Sequence, residues 1–85
     1  MHIRYQDPAL ERLATDPGFT GRFDVGVVKA FRKRIQAIMA ARDERDFYEQ
    51  KSLHYEKLKG DREGQHSMRL NRQWRLILRM ETDPK

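Results

Sequence analysis

The sequence predicts an α+β domain, an antiparallel sheet with two N-terminal helices packed on one face. Three observations predict it. Val28, Phe31, Ile35, Ile38 and Met39 recur at helical spacing. Two later runs, Gln65 to Leu70 and Trp74 to Met80, alternate apolar and polar side chains instead. The order is strand, two helices, then strands, with no repeat, low-complexity tract or linker, so helices and sheet are segregated.

The elements follow in order. His2-Ile3-Arg4-Tyr5 alternates and reads as a short strand. Asp7-Pro8 supplies a helix N-cap and then a proline at the first helical position, where its missing N–H costs nothing. Leu10, Leu13 and Ala14 make the apolar stripe of a short helix. Asp16-Pro17-Gly18 ends it, with Gly18 in a left-handed turn. A long helix runs from Asp24, its cap, to Ala41, with Lys29, Arg32, Lys33 and Gln36 mostly on its other side. The acidic patch Asp43-Glu44-Arg45-Asp46 follows, and Phe47 and Tyr48 anchor one more turn. Leu53 to Leu58 is a connection that ends in a short extended stretch. Gly60 to Gly64 is a polar turn bounded by glycines. Asn71-Arg72-Gln73 joins the last two runs as a three-residue hairpin loop.

Eighty-five residues make about one small domain. Lys and Arg total 18 against 13 Asp and Glu, a formal charge of +5, which favours a polyanion or an acidic protein as partner. Mean hydropathy is −0.96, and no apolar run approaches the ~18 residues that span a bilayer. No apolar leader follows Met1, so a cytoplasmic protein without a membrane partner is expected. Cysteine is absent, which excludes disulfide scaffolds, thiol nucleophiles and cysteine-based zinc sites. His2, His54 and His66 show no ligand spacing, and neither metal nor cofactor is expected. So small a core also makes a stabilising partner a reasonable expectation.

Strand alternation sorts the hairpin into two faces. Met68, Leu70, Trp74, Leu76, Leu78 and Met80 share the face that buries against the long helix. Trp74 and the methionines beside it read as core rather than as a base-stacking platform. The opposite face receives Ser67, Arg69, Arg75, Ile77 and Arg79, with Arg69 opposite Arg75 in the register of a three-residue loop. Like charges opposed across strands are mildly destabilising. The pattern reads equally as a cationic surface for phosphates or as a solvated face answered by Glu63, Glu81 or the acidic patch. Lys29, Arg32, Lys33 and Arg34 read as a solvated helix face. A helix-turn-helix is disfavoured by the short first helix and the long loop.

The stretch Lys57-Leu58-Lys59-Gly60-Asp61-Arg62-Glu63-Gly64-Gln65-His66-Ser67-Met68-Arg69-Leu70-Asn71-Arg72-Gln73-Trp74-Arg75-Leu76 closely resembles the HigB branch of the RelE/ParE toxin superfamily. These are the toxic halves of bacterial type II toxin–antitoxin pairs. The family pattern is L-K-G-D-R-x-G, a Ser-containing strand, then N-x-x-W-R and an apolar strand. The match covers about a quarter of the chain, in order and spacing.

The resemblance implies a small RelE-like fold, and a metal-independent endoribonuclease that cuts translated mRNA in the ribosomal A site. In that chemistry a 2′-hydroxyl attacks the adjacent phosphate. Lys59 matches the Lys of L-K-G and Arg75 the Arg of W-R, the catalytic pair by resemblance. Arg75 is expected to stabilise the transition-state phosphate, and Lys59 to position the backbone or help activate the nucleophile. Arg62, Arg69 and Arg79 are added from charge and strand parity as RNA contacts, with His66 as a further candidate beside the same surface. Gly60 and Gly64 are read as turn residues.

Catalytic members end in a further strand with an Asp-Tyr-His type terminus, whereas this chain stops at Glu81-Thr82-Asp83-Pro84-Lys85. Residues 1–85 are therefore read as a single toxin domain lacking that strand, with omission of a C-terminal segment the favoured account. A trimmed inactive variant, or catalysis by the Lys–Arg set alone, are the others. The implied partners are a helix-turn-helix antitoxin of the HigA kind, the ribosome and mRNA, and operator DNA through the toxin–antitoxin complex. The alternatives are a non-catalytic module that binds antitoxin and operator DNA, and a ParE-like gyrase poison.

Overall fold

Asp7 starts the first helix as expected. In the computed structural model, which describes residues 1–62 and 64–80 and of Arg62 the backbone alone, its Oδ1 accepts from the Ala9 N–H at 2.9 Å. Helix α1 spans Pro8–Thr15 with proline in its first turn. It stops at Asp16, whose side chain accepts from the Gly18 N–H at 3.0 Å. Gly18 is not left-handed. The left-handed glycine of this loop is Gly21, at φ 60°, because the Asp16 carboxylate already turns the chain at Gly18.

Helix α2 spans Val25–Ala40, capped by Asp24. It buries Val27, Val28, Phe31, Ile35 and Ile38, while Met39 falls off the stripe and is 61% exposed. Arg32 and Arg34 are not a solvated face. The Arg32 guanidinium donates to the carbonyls of Leu13, Asp16 and Phe19 at 2.9–3.1 Å, and at 3.4 Å to that of Pro17. It thereby satisfies acceptors at the end of α1 and in the loop beyond.

A short helix α3, Arg45–Glu49, buries Phe47 and leaves Tyr48 exposed. Lys51–Leu53 forms one 3-10 turn, and His54 follows it in the left-handed region at φ 47°. The connection ends in β1, Glu56–Lys57, and the glycine-bounded turn places both Gly60 and Gly64 at positive φ.

Strands β2, Gln65–Arg69, and β3, Arg75–Arg79, complete a three-stranded antiparallel sheet in the order β1-β2-β3. The β2–β3 register sets Arg69 opposite Arg75, Ser67 opposite Ile77 and Gln65 opposite Arg79. No glycine is needed in the hairpin loop, because Asn71 Oδ1 accepts from the N–H groups of Gln73 and Trp74, both at 2.8 Å.

The expected N-terminal strand does not form. Residues 2–5 keep the alternation, with Ile3 and Tyr5 half-buried and His2 and Arg4 exposed, but make no ladder hydrogen bonds among the described residues. The half-burial of Ile3 and Tyr5 helps fix the segment there, and its start is held where the Met1 ammonium donates to the carbonyls of Met39 and Ala41.

The core has two parts. Ile38, Ala41, Phe47, Leu53, Tyr55 and Met68 join α2, α3 and the sheet, while Leu13, Val28, Phe31 and Ile35 join α1 to α2. Ile3 and Leu76 pack against both. Trp74, at the hairpin end, is 46% exposed and meets Phe23 edge-on with centroids 5.6 Å apart. Among the described residues no helix is long and apolar enough to cross a membrane.

Candidate functional site

The outer face of the sheet carries the arginines. Residues opposed without backbone hydrogen bonds in an antiparallel ladder have Cα atoms only about 4.5 Å apart. Arg69 and Arg75 form such a pair, because the Leu70 N–H to Trp74 carbonyl bond of 2.9 Å puts the hydrogen-bonded positions at their neighbours. The two guanidinium groups turn away from each other. Arg69 Nε leans towards the Asn71 carbonyl at 3.4 Å. Arg75 Nη1 reaches across the sheet to Ser67 Oγ at 3.1 Å and Glu56 Oε2 at 3.5 Å.

Ser67 is fully buried in the central strand, between Glu56 on β1 and Ile77 on β3. Its hydroxyl is thus a fixed acceptor for a side chain that itself stays 43% exposed. Arg75 Nε and Nη2 have no hydrogen-bond partner among the described residues, so the group is anchored at one nitrogen and presents the others. That is the arrangement a phosphate needs: a held cation with donors to spare. Arg75 is answered by Glu56, a residue absent from the sequence reading. Glu63 and Glu81, named there as possible answers, lie outside the described residues.

Position along β2 separates the remaining residues. Arg79 sits opposite Gln65, four strand positions or about 13 Å from the Arg69–Arg75 pair. Lys59 follows β1 at that same far end, where the Leu58 N–H donates to the Gln65 carbonyl at 2.9 Å. Lys59 is exposed, and among the described residues no hydrogen bond or ion pair joins it to Arg75. The outer surface is thus a row, with Arg69 and Arg75 at one end, Ser67, Glu56 and Ile77 between, and Arg79 at the other, the end at which Lys59 follows β1. The side chain of Arg62 lies outside the described residues.

Helix α2 supports this row from behind. The Arg69 carbonyl points to the β1 side of β2, beyond where β1 reaches, and would be unpaired there. Arg34 Nε donates to it at 3.0 Å, and Arg34 Nη2 lies 3.4 Å from the Ser52 carbonyl. The charge of Arg34 thus replaces a missing ladder partner.

His66 is placed on the opposite, helix-facing side, not beside the arginines. It follows the parity of Met68 and is only 8% exposed. Its ring stacks on Tyr55 with planes 1° apart, and its Nε2 lies 3.2 Å from Glu44 Oε2. Tyr55 donates its hydroxyl to the same oxygen at 2.7 Å. Burial first, then the Glu44 bond and charge, push the Tyr55 phenol well above its usual pKa of 10.0. Buried on the core face, His66 does not supply an RNA contact. Strand parity alone already placed it there, but its nearness to the glycine turn obscured that.

At the acidic patch, Asp43 accepts from Arg45 Nη2 at 2.8 Å and from the Arg45 N–H. These bonds hold its carboxyl low, at about 2. The patch is therefore internally paired, and it lies on the Glu44 side of the molecule rather than across from the arginine row.

With this geometry in view, the chain can be compared with known families. A family described as the RelE-like toxin of type II toxin–antitoxin system HigB matches residues 4–84. Among curated proteins no similar sequence matches.

Proposed function

The chain belongs to the HigB-like family of type II toxin–antitoxin toxins, and from that premise we propose that it is a ribosome-dependent mRNA endonuclease that arrests translation and growth. The observation that carries the reading is Arg75, held through Nη1 by Ser67 and Glu56, with no hydrogen-bond partner for its other donors among the described residues.

In the reaction a 2′-oxygen attacks the neighbouring phosphorus and the bond to the 5′-oxygen breaks. The products are a 2′,3′-cyclic phosphate and a free 5′-hydroxyl. The 2′-hydroxyl proton must leave and the 5′-oxygen must gain one. Arg75 stabilises the extra negative charge of the five-coordinate phosphorus, the kind of contribution that is greatest in the transition state. Glu56, whose carboxylate stands beside Arg75, is an acceptor able to take the nucleophile's proton. Lys59 with Arg79, and Arg69 at the other end, hold the flanking backbone, and Arg62 belongs to the same set by charge. The toxin works in the cytoplasm, paired with a helix-turn-helix antitoxin that silences it and carries the pair to operator DNA.

The test is growth arrest on induction of the full chain and of Arg75→Ala. The variant should fold, since Arg75 faces outward, and should no longer arrest growth. Full toxicity of a folded Arg75→Ala protein would overturn the reading. RNA binding without any cleavage would instead favour a non-catalytic module.

A further inference from the structure

The outer face of the sheet is built in three rungs, each two strand positions from the next: Arg69 with Arg75, then Ser67 with Ile77 and Glu56, then Gln65 with Arg79. Two positions advance roughly 7 Å. By backbone alone, two of the three arginines share the first rung, one stands on the third, and the middle rung has none. The side chains redistribute them. Arg75 Nη1 lies 3.1 Å from Ser67 Oγ, and so short a side chain cannot leave its rung, so this guanidinium sits over the middle one. Arg69 Nε leans the other way, 3.4 Å from the Asn71 carbonyl in the hairpin loop. The first rung thus keeps one cation, the middle rung gains one, and the third carries Arg79.

The middle rung is made to receive a side chain from its neighbour. Ser67 is fully buried, which fixes its hydroxyl, and Ile77, 41% exposed, offers an apolar floor without a charge of its own. Glu56 meets Arg75 through Nη1 alone, at 3.5 Å. The result is one guanidinium per rung. The step between rungs matches that between successive phosphates of an extended single strand, the polymer whose backbone a cationic track follows.

We propose that Arg69, Arg75 and Arg79 take three successive phosphates of one extended RNA strand, one per rung, with Arg75 on the middle phosphate and Ser67 setting the spacing. The phosphate that Arg75 holds is then gripped on both sides. The proposal rests on the reading of this face as an RNA surface. An Arg75 left on its own rung would instead share one phosphate with Arg69 and leave the middle phosphate untouched.

The test measures binding of the full chain to 2′-O-methylated RNA, which lacks the attacking hydroxyl and cannot be cut. A tetranucleotide with free ends has three phosphates, one for each arginine. Its affinity should fall with salt at a logarithmic slope of about 2, from about 0.7 for each phosphate neutralised. Arg69→Ala, Arg75→Ala and Arg79→Ala should each lower that slope by about 0.7. An uncharged methylphosphonate at the middle phosphate should weaken binding several-fold, and Arg75→Ala should weaken that modified strand no further. Ser67→Ala should make the same modification cost less. A trinucleotide has only two phosphates and can shift by one rung. Arg69→Ala or Arg79→Ala alone should therefore cost it little, and the two together much more. The modified strands leave the protein unaltered, so they decide the matter even where a variant fails to fold. A middle methylphosphonate that binds as well as the unmodified strand would overturn the proposal. So would Arg69→Ala and Arg75→Ala effects that vanish with the same phosphate. Cleavage of unmodified mRNA on ribosomes is read separately. The phosphate pattern without cleavage would overturn the endonuclease reading alone, and cleavage without the pattern would overturn this proposal alone.

Discussion

Arg75 Nη1 donates to Ser67 Oγ at 3.1 Å, along the diagonal of the ladder rather than straight across it. The straight-across neighbour is Arg69, so the bond also draws Arg75 away from a like charge. Ser67→Ala should cost about 1 kcal/mol, the usual net worth of one such bond. It should lower RNA cleavage about tenfold by loosening Arg75, less than the loss of about a hundredfold or more expected for Arg75→Ala. Urea midpoints and cleavage rates of both variants check this ordering.

Arg32 joins α2 to the end of α1 through four carbonyls. Arg32→Ala should destabilise the fold by about 2 kcal/mol, since several acceptors lose a charged donor at once. Lys29→Ala and Lys33→Ala, on the exposed side of the same helix, should change stability by less than about 0.5 kcal/mol. Denaturant titration of the three variants would distinguish them, and equal effects would contradict the capping role.

Met68 is fully buried in the central strand, where the sheet meets Ile38, Phe47 and Leu53. Met68→Ala should cost about 3 kcal/mol through lost contacts and a residual cavity. Ile77→Ala on the exposed face should cost well under half of that, as thermal or urea unfolding would show.

Tyr55 gives the fold an alkaline limit. A phenol whose pKa is raised by folding stabilises the native state fully below its unfolded value near 10. That stabilisation is lost as pH rises beyond it, because only the unfolded chain ionises there. Thermal midpoints should fall between about pH 9 and 11.5, and the fall should be shallower in Tyr55→Phe. A residual slope belongs to Tyr5, whose pKa is also raised, by burial and by Glu11. Equal slopes in the two proteins would show that Tyr55 is not linked to folding.

Local signals carried most of the fold. Asp7 and Asp24 cap the helices expected of them, and the Arg69–Arg75 register follows from loop length and alternation alone. What the sequence left illegible depends on distant partners. Residues 2–5 have a strand's alternation but make no ladder hydrogen bonds among the described residues, and no local pattern reports whether a neighbouring strand is there to pair with. Arg32 and Arg34 look like any solvated basic run until the carbonyls they reach are known. Glu56 joins the arginine face only through the β1–β2 register, which a two-residue strand does not announce.

The central claim is that this surface cuts mRNA on the ribosome. It is tested most directly by mapping mRNA 5′ ends in a translating extract, with the full chain or Arg75→Ala, and with ribosomes present or removed. The account predicts new ends, bearing 5′-hydroxyls, only with the unaltered chain and only when ribosomes are present. Ends that persist with Arg75→Ala, or no new ends under any condition, would contradict it.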